Sequence, residues 1–381
     1  MRDLVGAVTV DAYVPAAGSA RRDAGALLAV AIFLVLVGLL TVYSSSSFSA
    51  QREGLPDHFF LRQQASRALV GLIALYVLAR VDYRVYRPLA WPLLGATVLA
   101  LLLLVLPGTE AIAPPRNGAR RWLELGVSVQ PSEIAKLTMV IWAAALAVKK
   151  GERLRSLRWG LAAYGVICAV VGFLIMLEPD LSSVALIGLL CAIVLFAAGA
   201  RIGHFILIGL AAVPIFWEVI RSASYRVARL VTFLNVGSDP QGAGYQLHQS
   251  LIAVGSGGMF GVGYGESTQK FFLPEPHNDF AFAIVAEEWG LIGVTAVAIA
   301  VALIGFLGLR IARRAPDAFG FLLAVGLTAL IVVSALIHMC VTMALLPTTG
   351  ITLPFISYGG SSLVVSLAAV GMLLNIGSWR A

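Results

Sequence analysis

Long apolar runs alternate with short polar segments along almost the whole of this chain. A run of about 20 residues is enough to cross a bilayer as a helix. From these runs we predict ten membrane-spanning helices, at about 24–45, 63–80, 86–106, 132–149, 159–177, 181–199, 202–220, 280–309, 318–345 and 361–378. Lipid offers no hydrogen bonds to an exposed backbone, so such spans must be helices rather than open sheet. The pattern therefore predicts an all-α, polytopic integral membrane protein.

Composition and the polar segments agree with this interpretation. Hydrophobic residues make up 59% of the chain and charged residues only 12%. Segment 1–22 is expected to be a cytoplasmic tail. Because it lacks the apolar core of a signal peptide, the first span should serve as an uncleaved insertion signal. Residues 23–381 are expected to form one transmembrane domain with two long outer loops, at about 107–131 and 221–279.

The basic residues predict an orientation in the membrane. Most of the 27 Lys and Arg residues fall in the loops opposite the two long ones, which places both termini in the cytoplasm. This topology and attraction to anionic lipids account for the net charge of +7, so nucleic-acid binding is discounted. Eleven basic residues nevertheless lie at or near the outer side: Arg52, Arg62, Arg67, Arg116, Arg120, Arg121, Lys136, Arg221, Arg226, Arg229 and Lys270. Each could pair with an outer acid such as Glu110, but as a group they equally suit an anionic lipid pyrophosphate.

Carboxylates near the outer ends of two spans have both a structural and a functional interpretation. Glu133 follows Ser132, a candidate helix N-cap, and lies one turn before Lys136. The two charges can therefore form an ion pair or face a ligand. Asp180 lies in the outer turn 177–183, where it can cap the sixth span. Charge at membrane depth is costly, so a functional role for Asp180 also stays open.

A polar, proline-containing segment, 271–280, precedes the eighth span and ends in His277, Asn278, Asp279 and Phe280. Asp279 could cap this span, or it could be a general base whose pKa is tuned by burial and by neighbouring charges. Two further acids, Glu287 and Glu288, fall inside the span and must pair, face a cavity or be protonated.

The glycine-rich stretch before this segment, 255–265, is a weak signal by itself. Glycines allow a backbone to approach a phosphate closely, but in membrane proteins they more often allow helices to pack closely. A short re-entrant or interfacial helix over 246–253 is a further possibility.

The segment Pro274-Glu-Pro-His-Asn-Asp-Phe280 and the C-terminal Ser357-Tyr-Gly-Gly-Ser-Ser362 give the chain a clear resemblance. It resembles the SEDS family (shape, elongation, division and sporulation), membrane glycosyltransferases that polymerise peptidoglycan. The likeness runs from Tyr43-Ser-Ser-Ser46 to the C-terminal signature. In the family, the Asp of the Pro-Glu-x-His-Thr-Asp-Phe motif is the catalytic base, which implies that role for Asp279. Asn278 stands where Thr is common. Substrate- or pyrophosphate-binding roles are implied for Arg120, Glu133, Lys136, Asp180, Lys270, His277 and Ser361.

The reaction that this resemblance implies is polymerisation of lipid II. The 4-hydroxyl of an acceptor GlcNAc attacks the anomeric carbon of a donor MurNAc, and undecaprenyl pyrophosphate leaves with inversion to a β-1,4 bond. Asp279 would accept the hydroxyl proton, while Arg120, Lys136 and Lys270 would stabilise the leaving diphosphate. The sequence has no dedicated metal cluster, although a divalent cation, Mg²⁺ or Mn²⁺, could share that task.

The resemblance also implies a branch and a partner. Residues 269–270 and 349–354 favour the division branch over the elongation branch, which more often has Pro in place of Thr352. Either machinery implies a class B penicillin-binding protein in the bacterial cytoplasmic membrane, because this chain has no transpeptidase domain. A lipid II flippase or transporter is the main alternative, and a division scaffold is another. The absence of an internal repeat, and polar motifs gathered on the outer face, favour chemistry on a lipid headgroup.

Overall fold

The computed structural model describes residues 17–115, 118–124, 126–235, 242 and 244–378, without the side chains of 17–21 and 159. Twelve α-helices lie within this part of the chain. They are α1 (Ala17–Arg52), α2 (Phe59–Arg80), α3 (Tyr86–Val105), α4 (Pro131–Lys150), α5 (Ala162–Leu177), α6 (Leu181–Ala197), α7 (Ile202–Arg221), α8 (Ser224–Leu234), α9 (Tyr245–Ser256), α10 (Ala281–Arg313), α11 (Ala318–Thr342) and α12 (Gly360–Ser378). The all-α prediction is confirmed.

A helix occupies each of the ten ranges predicted to span the membrane. Seven of the described helices, α1, α3, α4, α7, α10, α11 and α12, are long and apolar enough to cross it. Helices α5 and α6 are apolar but shorter, and α2 falls outside the seven, so a count of ten spans is not confirmed. The first helix begins at Ala17, inside the segment predicted to be a tail, and residues 1–16 lie outside the described part.

The two long loops contain regular structure beyond the predicted spans. In the first, β1 (Leu123–Glu124) pairs antiparallel with β2 (Ser128–Val129), with Leu123 opposite Val129. The second contains α8 and α9, and α9 confirms the short helix predicted over 246–253. Helix α9 is fixed to α11, since Ser250 Oγ donates a hydrogen bond to the Thr342 carbonyl oxygen at 2.8 Å.

The glycine-rich segment packs directly onto the backbone of α10. A Cβ atom on Gly257 would lie 1.9 Å from the Ala286 carbonyl oxygen, and one on Gly261 would lie 2.1 Å from that of Glu288. Helix α10 is kinked at Gly290, where φ is 62°. Only glycine allows backbones to approach this closely, so the structure favours the packing interpretation of Gly257 and Gly261.

The two long loops meet at one end of the helix bundle, which we call the loop end. Three hydrogen bonds connect its parts. The backbone N–H of Gln130 donates to Ser361 Oγ at 2.8 Å. Arg121 Nε donates to the Glu178 carbonyl oxygen at 2.8 Å. The backbone N–H of Tyr358 donates to the His277 carbonyl oxygen at 2.8 Å. The N-terminal ends of α4, α6, α10 and α12 therefore gather at the loop end.

Candidate active site

Asp279 lies at the loop end, two residues before α10 begins. The N-cap of α10 is Phe280, and no side chain makes a capping hydrogen bond there. The capping alternative for Asp279 is therefore wrong. Its half-buried carboxylate forms no hydrogen bond or ion pair with any residue that the structure describes. This leaves the carboxylate oxygens free to accept a proton from a ligand.

Four charged side chains from different segments act on Asp279. Burial raises the pKa of Asp279 to about 6, and this is the largest effect. Arg229 on α8 and Arg121 before β1 lower this pKa, whereas Glu275 and Asp180 raise it. A carboxyl with a pKa near 6 is mostly ionised at neutral pH and is more basic than an ordinary Asp. This is the property that a general base requires.

The turn between α5 and α6 brings Asp180 toward Asp279. Asp180 accepts hydrogen bonds from the Ser183 amide at 3.0 Å and from Ser183 Oγ at 2.7 Å, so its predicted role as the cap of α6 is confirmed. Arg121 donates to the carbonyl oxygens of Glu178 and Pro179 at 2.8 and 2.9 Å. The cap and the arginine together hold this turn beside the candidate base.

The arginines that lower the pKa of Asp279 are not the one that the sequence singled out. Arg120 pairs with Glu110 at 2.5 Å, which is the ordinary outer pairing left open above. Arg121 and Arg229 belong to the predicted outer cationic group, but the sequence did not single them out within it. Arg120 and Arg121 are adjacent in sequence, and the hairpin of β1 and β2 that follows them sets which way each side chain points. Arg226 and Arg229 lie three residues apart, a helical spacing that could have indicated helix α8 and the face that carries Arg229.

Glu133 and Lys136 form a buried ion pair on the first turns of α4. Lys136 Nζ lies 2.6 Å from Glu133 Oε1, and the two side chains are 3% and 8% exposed, respectively. The predicted ion pair is therefore present. The predicted N-cap at Ser132 is wrong, because α4 begins at Pro131 after an N-cap at Gln130. Proline suits the first helical position, because a backbone N–H there would have no intrahelical carbonyl to donate to.

The two acids inside α10 hold the loop that carries Lys270. Glu287 is fully buried and accepts hydrogen bonds from Ser267 Oγ, the Thr268 amide and hydroxyl, and the Gln269 amide. Glu288 accepts a hydrogen bond from Ser44 Oγ at the end of α1. The requirement that both acids find partners is thus met by the loop and by α1.

Lys270 is buried and donates to the Gly265 carbonyl oxygen. It lines a cavity of about 380 Å³, together with Phe48, Ser49, Arg52, Glu53, Phe271, Leu273, Pro274 and Glu275. No hydrogen bond or ion pair joins Lys270 to Asp279 in the described part of the chain. Lys270 therefore faces a neighbouring cavity, between the end of α1 and the segment before Asp279.

His277 and Ser361 fasten the C-terminal signature to the loop end. The buried His277 ring lies between Phe60 and Tyr358, at centroid distances of 5.0 and 5.3 Å. His277 Nε2 lies 3.4 Å from Glu275 Oε2, but burial outweighs this contact and lowers the pKa of His277 to about 4, so the ring is neutral at pH 7. Ser361 accepts the hydrogen bond from the Gln130 amide that connects α12 to the start of α4.

Across the described ranges, no group of three or more His, Cys, Asp or Glu side chains is placed to hold a metal ion. The divalent cation, Mg²⁺ or Mn²⁺, stays a prediction.

Comparison with known proteins identifies the family. A family model described as "Cell cycle protein", covering FtsW, RodA and SpoVE, matches residues 25–380. The chain belongs to this family. Among curated relatives of this chain, stage V sporulation protein E of Bacillus subtilis is 41% identical over 92% of this chain and 95% of its own length. The probable peptidoglycan glycosyltransferase FtsW of Geobacter sulfurreducens is 40% identical over 92% and 94%.

Solved structures show the same fold. A chain of a peptidoglycan synthase complex, described as coordinating polymerization and crosslinking, matches with a TM-score of 0.75 and 27% identity over 92% of this chain and 96% of that one. The rod shape determining protein RodA of Thermus thermophilus matches with a TM-score of 0.65 and 28% identity over 92% and 95%. The resemblance noted from the sequence is therefore confirmed at the level of family and fold.

Proposed function

We propose that this chain is a peptidoglycan glycosyltransferase that polymerises lipid II, with Asp279 as its general base. Family membership and the names of relatives that are about 40% identical support the enzyme class. The observation that carries the assignment of the base is the carboxylate of Asp279, which has no partner in the described part of the chain, has a raised pKa, and lies between two arginines and two acids.

In the proposed reaction, Asp279 takes the proton from the acceptor's 4-hydroxyl as that oxygen attacks the anomeric carbon of the donor. A carbon–oxygen bond forms on one face of the sugar while the bond to the diphosphate breaks on the other, which inverts the configuration. The bonding electrons leave with undecaprenyl pyrophosphate, and Asp279 later releases its proton to water. Arg121 and Arg229 stabilise the developing negative charge, because fixed charges in a partly dry site act strongly on it.

The other candidate residues receive supporting roles in this proposal. Arg120 and Lys136 are each paired with a carboxylate, and Lys270 is bonded to a backbone carbonyl. In this proposal, Arg121 and Arg229 therefore replace them as the cations that stabilise the developing charge. Asp180 holds its turn beside Asp279.

His277, Ser361 and the buried Glu133 complete the supporting set. His277 and Ser361 hold the C-terminal signature in place. Glu133 holds the Lys136 side chain in the buried ion pair within α4.

The setting of the reaction is also part of the proposal. The loop end faces the outside of the cytoplasmic membrane, with both termini in the cytoplasm. A class B penicillin-binding protein cross-links the product, an expectation supported by the synthase complex that contains a chain of this fold. The division branch is favoured, because relatives with division and sporulation names are about 40% identical, whereas the RodA structure is 28% identical.

The enzyme class is tested with the purified protein in vesicles, alone and with its penicillin-binding partner. Labelled lipid II is supplied, and both glycan-chain formation and movement of lipid II across the membrane are measured. Polymer that forms only when this protein is present supports the glycosyltransferase. Movement of lipid II without polymer, with the partner present, would instead support the flippase.

A further inference from the structure

Glu178 is a buried carboxyl group at the loop end that the proposed reaction does not use. Glu178 directly follows α5, and the residue is only 1% exposed. Neither of its carboxyl oxygens has a hydrogen-bond partner in the part of the chain that the structure describes. An ionised carboxylate in such a place would be strongly unfavourable, because it has lost water and gained no donor.

The nearest cation does not neutralise this group. Arg121 directs its Nε and Nη2 atoms to the backbone carbonyl oxygens of Glu178 and Pro179, at 2.8 and 2.9 Å, and not to the Glu178 carboxyl. Asp180 adds a negative charge two residues away. Burial, then Asp180, raises the pKa of Glu178 to about 9, while Arg121 opposes the shift. Glu178 is therefore a neutral acid at pH 7.

The neutrality of Glu178 has a consequence for Asp279. Arg121 is one of the two cations that lower the pKa of Asp279. An ionised Glu178 would cancel much of that positive charge and add a third acid to Glu275 and Asp180. A neutral Glu178 leaves the charge of Arg121 available to the base and to an anionic ligand.

We propose that Glu178 is a positioning residue that acts through Arg121: as a neutral buried acid it leaves the Arg121 charge available to Asp279 and to the diphosphate of the lipid-linked donor. This inference rests on the proposed function for its second half. Its first half, the neutrality of Glu178, can be tested without any substrate.

Thermal unfolding as a function of pH tests that first half, with Glu178→Gln as the variant. A folded-state pKa raised from 4.5 to about 9 gives wild type a stability contribution that is complete below 4.5 and is lost as pH rises through 9. Glutamine has no such dependence. We therefore expect the wild-type Tm, relative to the variant, to fall steadily from about pH 5 to about pH 9 and then to level off.

The matched control is Glu110→Gln, at an exposed acid paired with Arg120. Because the pKa of Glu110 is lowered, the Tm difference between Glu110→Gln and wild type should be constant above about pH 5. A Tm difference for Glu178→Gln that is equally constant from pH 5 to 9 would overturn the proposal, whether or not the protein polymerises lipid II.

The second half is tested by the pH profile of kcat/KM for polymerisation. At pH 7 we expect Glu178→Gln to lie within about twofold of wild type, because one neutral group replaces another. Above about pH 9, wild type should lose activity that the variant keeps. A folded variant with a tenfold or greater loss at pH 7, or profiles that fall together above pH 9, would refute the role. Glu178→Met, also neutral, should repeat both results and provides a second variant should the first fold poorly.

Discussion

Glu287 offers the sharpest test of how α10 supports the site. Its buried carboxylate is the shared acceptor for Ser267, Thr268 and Gln269, which directly precede Lys270. Glu287→Ala leaves two backbone amides and two hydroxyls without that acceptor. Hydrogen bonds to a charged group contribute about 1.5–3 kcal/mol each, although removing the desolvated charge offsets part of this sum. We therefore expect a net loss of about 3 kcal/mol in the free energy of unfolding.

That loss corresponds to a fall in Tm of roughly 4 °C, because the entropy of unfolding is about 2.1 cal/mol/K per residue and the chain has 381 residues. The assay is thermal unfolding of the purified protein, followed by lipid II polymerisation at a temperature where the variant is folded. The segment that leads to Asp279 loses its anchor, so kcat/KM should fall by at least about tenfold. The matched control is Glu266→Ala, at an exposed acid in the same loop. Equal Tm and equal activity for the two variants would refute the reasoning.

Three further predictions address the base, the arginines and the glycine contact. Because Asp279 must be ionised and its pKa is about 6, polymerisation measured from pH 5 to 8 should fall about tenfold per pH unit below 6; a rate that is flat down to pH 5 contradicts this. Arg121→Gln and Arg229→Gln should each lower kcat/KM by about 10- to 100-fold, whereas Arg120→Gln should change it by less than about threefold; equal losses would remove the distinction among these arginines. Gly261→Ala should lower Tm, because its Cβ would lie 2.1 Å from a carbonyl oxygen of α10 at a φ of +81°; an unchanged Tm would argue against this contact.

The helices were largely predictable because the membrane restricts what a spanning segment can be. An apolar run that must bury its own backbone polar groups has few alternatives to a helix, and so the predicted ranges match the observed helices closely. Helix α8 was missed because its apolar residues are interrupted by Arg226 and Arg229, which makes it resemble a polar loop. The extra turns at the start of α1 were missed because Arg21 and Arg22 interrupt the apolar pattern.

The site was predictable where a residue's role depends on near neighbours in sequence. Asp180 caps the helix that it precedes, and Glu133 pairs with Lys136 one turn away. The roles of Arg121 and Glu287 depend on contacts with residues distant in sequence, in the turn after α5 and in the loop before Asp279. Local patterns carry no information on such contacts. For the same reason, Arg120 and Arg121 could not be distinguished before the fold was known.

The assignment of Asp279 as the base is tested most directly by the initial rate of glycan-chain formation from labelled lipid II by the Asp279→Asn variant, with the partner present. Asn keeps the size of the side chain but cannot accept the proton, so the rate should fall by about 10²–10⁴-fold while Tm stays close to that of wild type. Asp57→Asn, at an exposed acid paired with His58, serves as the control and should keep its rate. An Asp279→Asn variant that polymerises lipid II within a few-fold of the control would contradict the assignment of the base.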